Sequence, residues 1–240
     1  MVSLEKKKVL VVGGSSGIGL ATAKLVLEAG ANVTIAGRDQ GRLDAAVKSL
    51  GGKVVARTLD ATVDAAVAAF FRADPAWDHV VLSAGAGGRG RLPDIPMDRA
   101  MAAMDGKFWA YFRIARAVSL PPDGSLTFVS GQLSQLPSPG AALVSAVNAA
   151  IEGLTRGLAL DFAPARVNTI CPGVIDTPLW DQLPGDARKA LYERQAKVLP
   201  ARRVGQPEDV AELIVAAMTN RFMTGNVVML EGGSQLLSGY

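Results

Sequence analysis

Val9–Gly30, VLVVGGSSGIGLATAKLVLEAG, decides the fold. Four apolar residues read as a buried strand, and Gly13–Gly19 reads as a tight turn. From Ile18 to Ala29 the apolar residues recur at helical spacing. Strand, glycine turn and helix in that order build an anion site. Backbone with no side chain in the way approaches the ligand closely, and the free N–H groups of the helix start face it.

The same alternation continues to the end of the chain. Apolar strand-like runs stand at 7–14 (KKVLVVGG), 31–38 (ANVTIAGR), 53–60 (KVVARTLD), 79–85 (HVVLSAG), 125–131 (SLTFVSG), 166–173 (RVNTICPG) and 226–233 (NVVMLEGG). Helical patterns occupy 41–50, 64–73, 98–118 and 144–163 between them. Strands apolar on both sides belong in a sheet covered on both faces. The expected fold is α/β: a single Rossmann-type doubly wound domain over residues 1–240, with an approximately seven-stranded parallel sheet and helices on both faces. The segment 175–204, rich in charge and proline, is expected to form a lid over the pocket; an exposed helical pair that only packs is the alternative.

Composition narrows the chemistry. At 49% hydrophobic residues, the 240-residue chain can bury a full core. No stretch has the length of apolar sequence a membrane helix needs, and the N-terminus lacks the pattern of a signal peptide. One cysteine, Cys171, suits a reducing compartment, so a cytoplasmic location is expected. A net charge of +3, with its one basic run at Lys6–Lys8, does not make a nucleic-acid face. A single histidine and a single cysteine leave almost no metal ligands beyond carboxylates, and no metal is expected.

The motifs resemble those of the short-chain dehydrogenase/reductase family across nearly the whole chain. The glycine turn matches, with Val12 in place of the usual Thr. Leu82–Gly85 keeps Ala84 and Gly85 of the family's Asn-Asn-Ala-Gly, and 171–178 (CPGVIDTP) matches the loop that covers the nicotinamide. Arg202, Gly205–Val210, Gly225 and Glu231–Gly233 complete a C-terminal signature. This resemblance implies NADP(H) as cofactor, with contacts from Gly13, Ser15, Ser16, Gly17, Ile18, Gly19, Arg38, Asp60, Ala84, Gly85, Asn148, Pro172, Gly173, Ile175 and Thr177; Val174 is the alternative to Ile175 for a backbone contact. NADP(H) is preferred over NAD(H) because Gly37 stands where an acidic residue would hold the adenosine ribose. Arg38 beside it offers a planar fork for a 2′-phosphate, unless it is a solvated arginine near Asp39. Asp60 would bind the adenine edge, or else cap a helix.

The catalytic positions depart from the family. Val144 and Asn148 occupy the places of its Tyr and Lys, Gly131 that of its Ser with Ser130 just before, and Lys107 that of its Asn. Val144 cannot exchange a proton, and Asn148 can hold a ribose hydroxyl without charge. Lys107 and Ser130 are the candidate substitutes, and Lys107 with Asn148 reads as an exchange of residue types between neighbouring positions. The alternative pairs Lys107 with Asp105 or with solvent. Tyr111, Tyr192, His79, Gln132, Ser134, Arg89 and Arg91 are weaker candidates, and Tyr240 is a candidate for a subunit boundary. Two functions remain open: an oxidoreductase on a small carbonyl or alcohol, or a non-catalytic NADP(H)-binding sensor or assembly protein. The resemblance also implies a homodimer or homotetramer paired through the Lys107 and Val144 helices.

Overall fold

Seven strands, β1 (Lys8–Val12), β2 (Asn32–Gly37), β3 (Val55–Thr58), β4 (His79–Leu82), β5 (Ser125–Val129), β6 (Arg166–Pro172) and β7 (Val227–Leu230), form one sheet in the order β3-β2-β1-β4-β5-β6-β7. The structure is a computed structural model that describes residues 3–85 and 88–237, so Tyr240 lies outside the described residues. Every strand pair is parallel, as the two-sided apolar runs require. Val12 is level with Ala36 on β2 and with Leu82 on β4. The chain order reverses around β1, which opens a crevice at the carboxyl ends of β1 and β4.

Successive residues of β1 serve opposite faces. Val9 and Val11 pack with Val26, Ile35, Val210 and Ile214, beneath α1 (Gly17–Glu28), α2 (Gln40–Ser49) and α8 (Pro207–Thr219). Leu10 and Val12 pack with Phe70, Trp77, Ile114 and Ile151, beneath α3 (Asp64–Ala73), α5 (Ala110–Ala117) and α6 (Ala142–Asp161). Arg166 fastens α8 from below: its buried guanidinium donates to the carbonyls of Ala217, Met218 and Asn220 at the end of that helix.

The structure redraws or adds detail to several segments of the sequence expectation. Helix α1 starts and ends one residue earlier than Ile18–Ala29. The helix read over 98–118 is α4 (Met97–Met104), a π turn at Asp105–Trp109, and α5. The wider turn has i→i+5 bonds, and Lys107 is its buried residue. In 175–204 a 3₁₀ turn (Pro178–Trp180) precedes α7 (Gly185–Val198), a helix with no buried residue. Helix α8 follows, where the sequence reading has only a C-terminal signature; Gln206 and Asp209 form its capping box. No helix of the described residues is long and apolar enough to cross a membrane.

Candidate active site

The crevice begins at the glycine turn. A Cβ on Gly19 would stand 2.1 Å from the Gly13 carbonyl oxygen, so α1 starts this close to β1 only with glycine there. Ser16 is the N-cap of α1 but spends no side-chain bond on its own helix, and the first turn carries no acidic residue. The positive end of α1 is therefore open to an anion, and the cradle fits the pyrophosphate of a dinucleotide. From the other side of the crevice, Thr177 places its Cγ2 3.2 Å from where a Cβ on Gly17 would be. The structure thus brings the 171–178 loop onto the glycine turn. The Ile175 carbonyl orders that loop by accepting from the Trp180 indole at 2.8 Å and from the Thr177 hydroxyl at 3.4 Å.

Leu82 and Ser83 stand where the family motif has amides. Ser83 Oγ donates to the Val12 carbonyl at 3.2 Å, tying the end of β4 to the glycine turn. Asp60 is not a helix cap, since α3 is capped at Val63. Its Oδ1 accepts from the Thr62 N–H at 3.0 Å and the Thr62 hydroxyl at 2.7 Å. Those bonds, the side-chain one foremost, hold its carboxyl below the usual range, with Arg38 adding a favourable charge. Arg38 is exposed at the end of β2. Asp39 beside it caps α2 through the Arg42 N–H at 2.9 Å.

Deeper in, Lys107 and Asn148 meet. Lys107 is 6% exposed, and its Nζ donates to Asn148 Oδ1 and to the Ser130 carbonyl, both at 3.0 Å. Asn148 Nδ2 donates to the Gly131 carbonyl at 3.3 Å, and Ser130 Oγ donates to the Asn148 carbonyl at 3.2 Å. A Cβ on Gly131 would lie 2.9 Å from Asn148 Nδ2, so a serine there conflicts with this arrangement. The alternative partner Asp105 is taken by Arg113 at 2.7 Å. Burial pulls the Lys107 ammonium down to about 8, partly opposed by Cys171. Burial and the nearby Glu152 push the Cys171 thiol up to about 12; Cys171 Sγ donates to Glu152 Oε1 at 3.5 Å. Val144 is 8% exposed and brings no polar atom.

The remaining candidates are committed elsewhere. Tyr111 donates to the Ala84 carbonyl at 2.9 Å, stacks on Phe128, and is pushed up by burial. Tyr192 donates to Asp176 at 2.9 Å and lies against Arg188. His79 sits at the opposite end of β4, bonded to Ser125 Oγ at 2.8 Å and held down to about 4 by burial. Ser134 donates to the Gly131 carbonyl, and Gln132 accepts from Ser234. Arg89 and Arg91 are exposed. Two residues that bond to the glycine turn or the strand before it escaped the sequence reading: Ser83, through the Val12 carbonyl, and Arg42, whose Nη2 donates to Ser16 Oγ at 2.9 Å. Among the described residues no group of three His, Cys, Asp or Glu side chains could hold a metal.

Known proteins share this architecture. A family model described as enoyl-(acyl carrier protein) reductase matches residues 12–235. A short-chain dehydrogenase/reductase of Malbranchea aurantiaca, malC, is 31% identical over 97% of this chain and 96% of its own length. A small-chain dehydrogenase solved in complex with NADPH is 32% identical, with a TM-score of 0.83 over 97% of this chain and 100% of that one. An NADPH-bound short-chain oxidoreductase from Pseudomonas aeruginosa PAO1, described as containing an atypical catalytic center, is 28% identical with a TM-score of 0.87; the match covers 97% of this chain and 98% of that one. The match along nearly its full length, together with the parallel sheet and glycine turn, makes this chain a member of the short-chain dehydrogenase/reductase family, and by that kinship an oxidoreductase.

Proposed function

We propose that the protein is an NADP(H)-dependent oxidoreductase of a small carbonyl or alcohol substrate, in which Lys107 and Asn148 replace the family's Tyr-Lys pair. The observation that carries the reading is the buried ammonium of Lys107, held by Asn148 Oδ1 at 3.0 Å on the residue that takes the place of the family's Lys. When bound, the cofactor supplies a hydride to the carbonyl carbon. Lys107 stabilises the charge that develops on the carbonyl oxygen and gives it a proton; an ammonium near 8 is suited to that exchange near neutral pH. Asn148 orients the ammonium and offers its amide toward the ribose, and Val144 keeps the reacting face apolar. Gly13, Ser15, Ser16, Gly17, Ile18 and Gly19 hold the pyrophosphate. Asp60, Ala84 and Gly85 line the adenosine and ribose side, and Pro172, Gly173, Ile175 and Thr177 the nicotinamide. Gly37 and Arg38 support NADP(H) over NAD(H), in keeping with the NADPH complexes of two solved relatives.

The same reading makes 1–240 one domain with 175–204 as its lid, in a cytoplasmic homodimer or homotetramer. Exposed Met97, Met101 and Trp109 on the Lys107 segment support pairing there. Val144 favours a second reading, a non-catalytic NADP(H)-binding sensor or assembly protein, because it removes the usual acid. NADPH deuterated at C4, incubated with a panel of carbonyl compounds, separates the two. Deuterated alcohol from the wild-type protein, falling about 10²-fold or more in Lys107→Met, supports the enzyme. Tight NADPH binding with no label transferred supports the sensor.

A further inference from the structure

We infer that the Lys107 side chain is also a nucleophile, taking small aldehydes and activated ketones covalently as an imine. From the proposed function this takes only that a small carbonyl compound reaches Lys107; no cofactor enters it. Nζ of a lysine has four tetrahedral positions. In Lys107 the Cε atom fills one, and the Ser130 carbonyl and Asn148 Oδ1, both at 3.0 Å, fill two more. Both oxygens only accept, so each takes an N–H. A neutral amine has two N–H groups and one lone pair, so these acceptors satisfy it completely and the lone pair takes the remaining position. The direction along which the ammonium gives a proton is the direction along which the amine attacks.

No acid locks the group in its charged form. Among the described residues Lys107 forms no ion pair. Asp105 is held by Arg113, Glu152 accepts from Cys171, and Tyr111 donates to the Ala84 carbonyl. Burial, which brings Lys107 to about 8, supplies a share of amine near neutral pH. The group is also within reach of a ligand. Lys107, Ser130 and Val144 each keep a little exposure, whereas Val147 and Ile151 keep none, so the first three border a crevice and the other two lie in the closed core. In the reaction the lone pair forms the N–C bond as the carbonyl π pair moves to oxygen, and a proton passes from nitrogen to that oxygen. The C–O bond of the carbinolamine then breaks, the oxygen leaving as water with one proton taken from the medium. A protonated imine remains, whose single N–H still serves one of the two oxygens. A hydride donor reduces it to a secondary amine and fixes the adduct on the chain.

The test is incubation of the full chain with propanal and sodium cyanoborohydride, without nicotinamide cofactor, followed by peptide mapping in a mass spectrometer. Lys107 is expected to gain the mass of a propyl group about 10-fold faster than the exposed Lys48 and Lys53, because the amine is the reacting form. Labelling of Lys107 no faster than at those two surface lysines would overturn the proposal. A parallel arm, with NADPH deuterated at C4 in place of cyanoborohydride, keeps this outcome apart from the reductase reading. Deuterated propanol in that arm, with Lys107 labelled no faster than the surface lysines in the first, would keep the reductase and remove the nucleophile. Rapid propylation of Lys107 with no deuterated propanol would support the nucleophile without the reductase.

Discussion

Replacing Lys107 by Met removes a buried ammonium while keeping most of its stem, and the consequence for stability can be worked from its surroundings. In the folded protein the group titrates at about 8, against 10.5 in the unfolded chain. That gap of about 2.5 units corresponds to roughly 3 kcal/mol at about 1.4 kcal/mol per unit. At 6% exposure, solvent screening takes little from that figure. Because the folded value is depressed, the folded state carries the full cost of the charge below about 8 and none above 10.5. The wild-type protein should therefore gain on Lys107→Met as pH rises through that window, by roughly 3 kcal/mol in total. Lost bonds to Ser130 and Asn148 shift the comparison by an amount that varies little with pH. Urea unfolding of both proteins at several pH values measures the difference, and other titrating groups cancel in the subtraction. A difference that stays flat across the window would refute the buried, charged Lys107.

Three further outcomes follow from the same geometry. Gly131→Ser should displace the Asn148 amide from its 2.9 Å approach and cost about 1–3 kcal/mol in chemical denaturation; full wild-type stability would mean that the amide has room to turn. His79 titrates at about 4 when folded against 6.5 unfolded, so it withdraws roughly 3 kcal/mol of stability as pH falls through that interval. Comparing His79→Gln with wild type by urea unfolding over that interval should show a difference that narrows by that amount as the pH falls. Installing the family pair as Val144→Tyr with Asn148→Lys should fail while Lys107 remains, because two ammonium groups would share one buried site. Adding Lys107→Asn should raise NADPH-dependent reduction above the double variant, and equal rates in the two would sink that reasoning.

The sheet was legible because β1 (KVLVV) and β4 (HVVL) are nearly continuous apolar runs, the pattern of strands covered on both faces. The glycine turn was legible for a different reason: close approach of backbone to backbone demands glycine whatever else surrounds it. Helix α7 was read as an irregular lid because none of its residues is buried, so no apolar stripe marks it. The π turn was hidden because one extra residue in a helical turn leaves no compositional trace, yet it holds the buried Lys107. The meeting of Lys107 with Asn148 spans 41 positions and was visible only through resemblance to a family whose residues already stand together. The contacts of Arg42 and Ser83 arise from tertiary folding, and neither residue type signals them.

The central claim is that a buried lysine does the work of the missing tyrosine. The pH dependence of kcat/KM for NADPH-driven reduction of an activated diketone tests it most directly. The expected profile falls on the alkaline side with an apparent pKa of about 8 as the Lys107 ammonium is lost. Lys107→Met should lose that limb together with about 10²–10⁴-fold of the rate. A wild-type profile level through that range, or a Lys107→Met variant as fast as wild type, would contradict it.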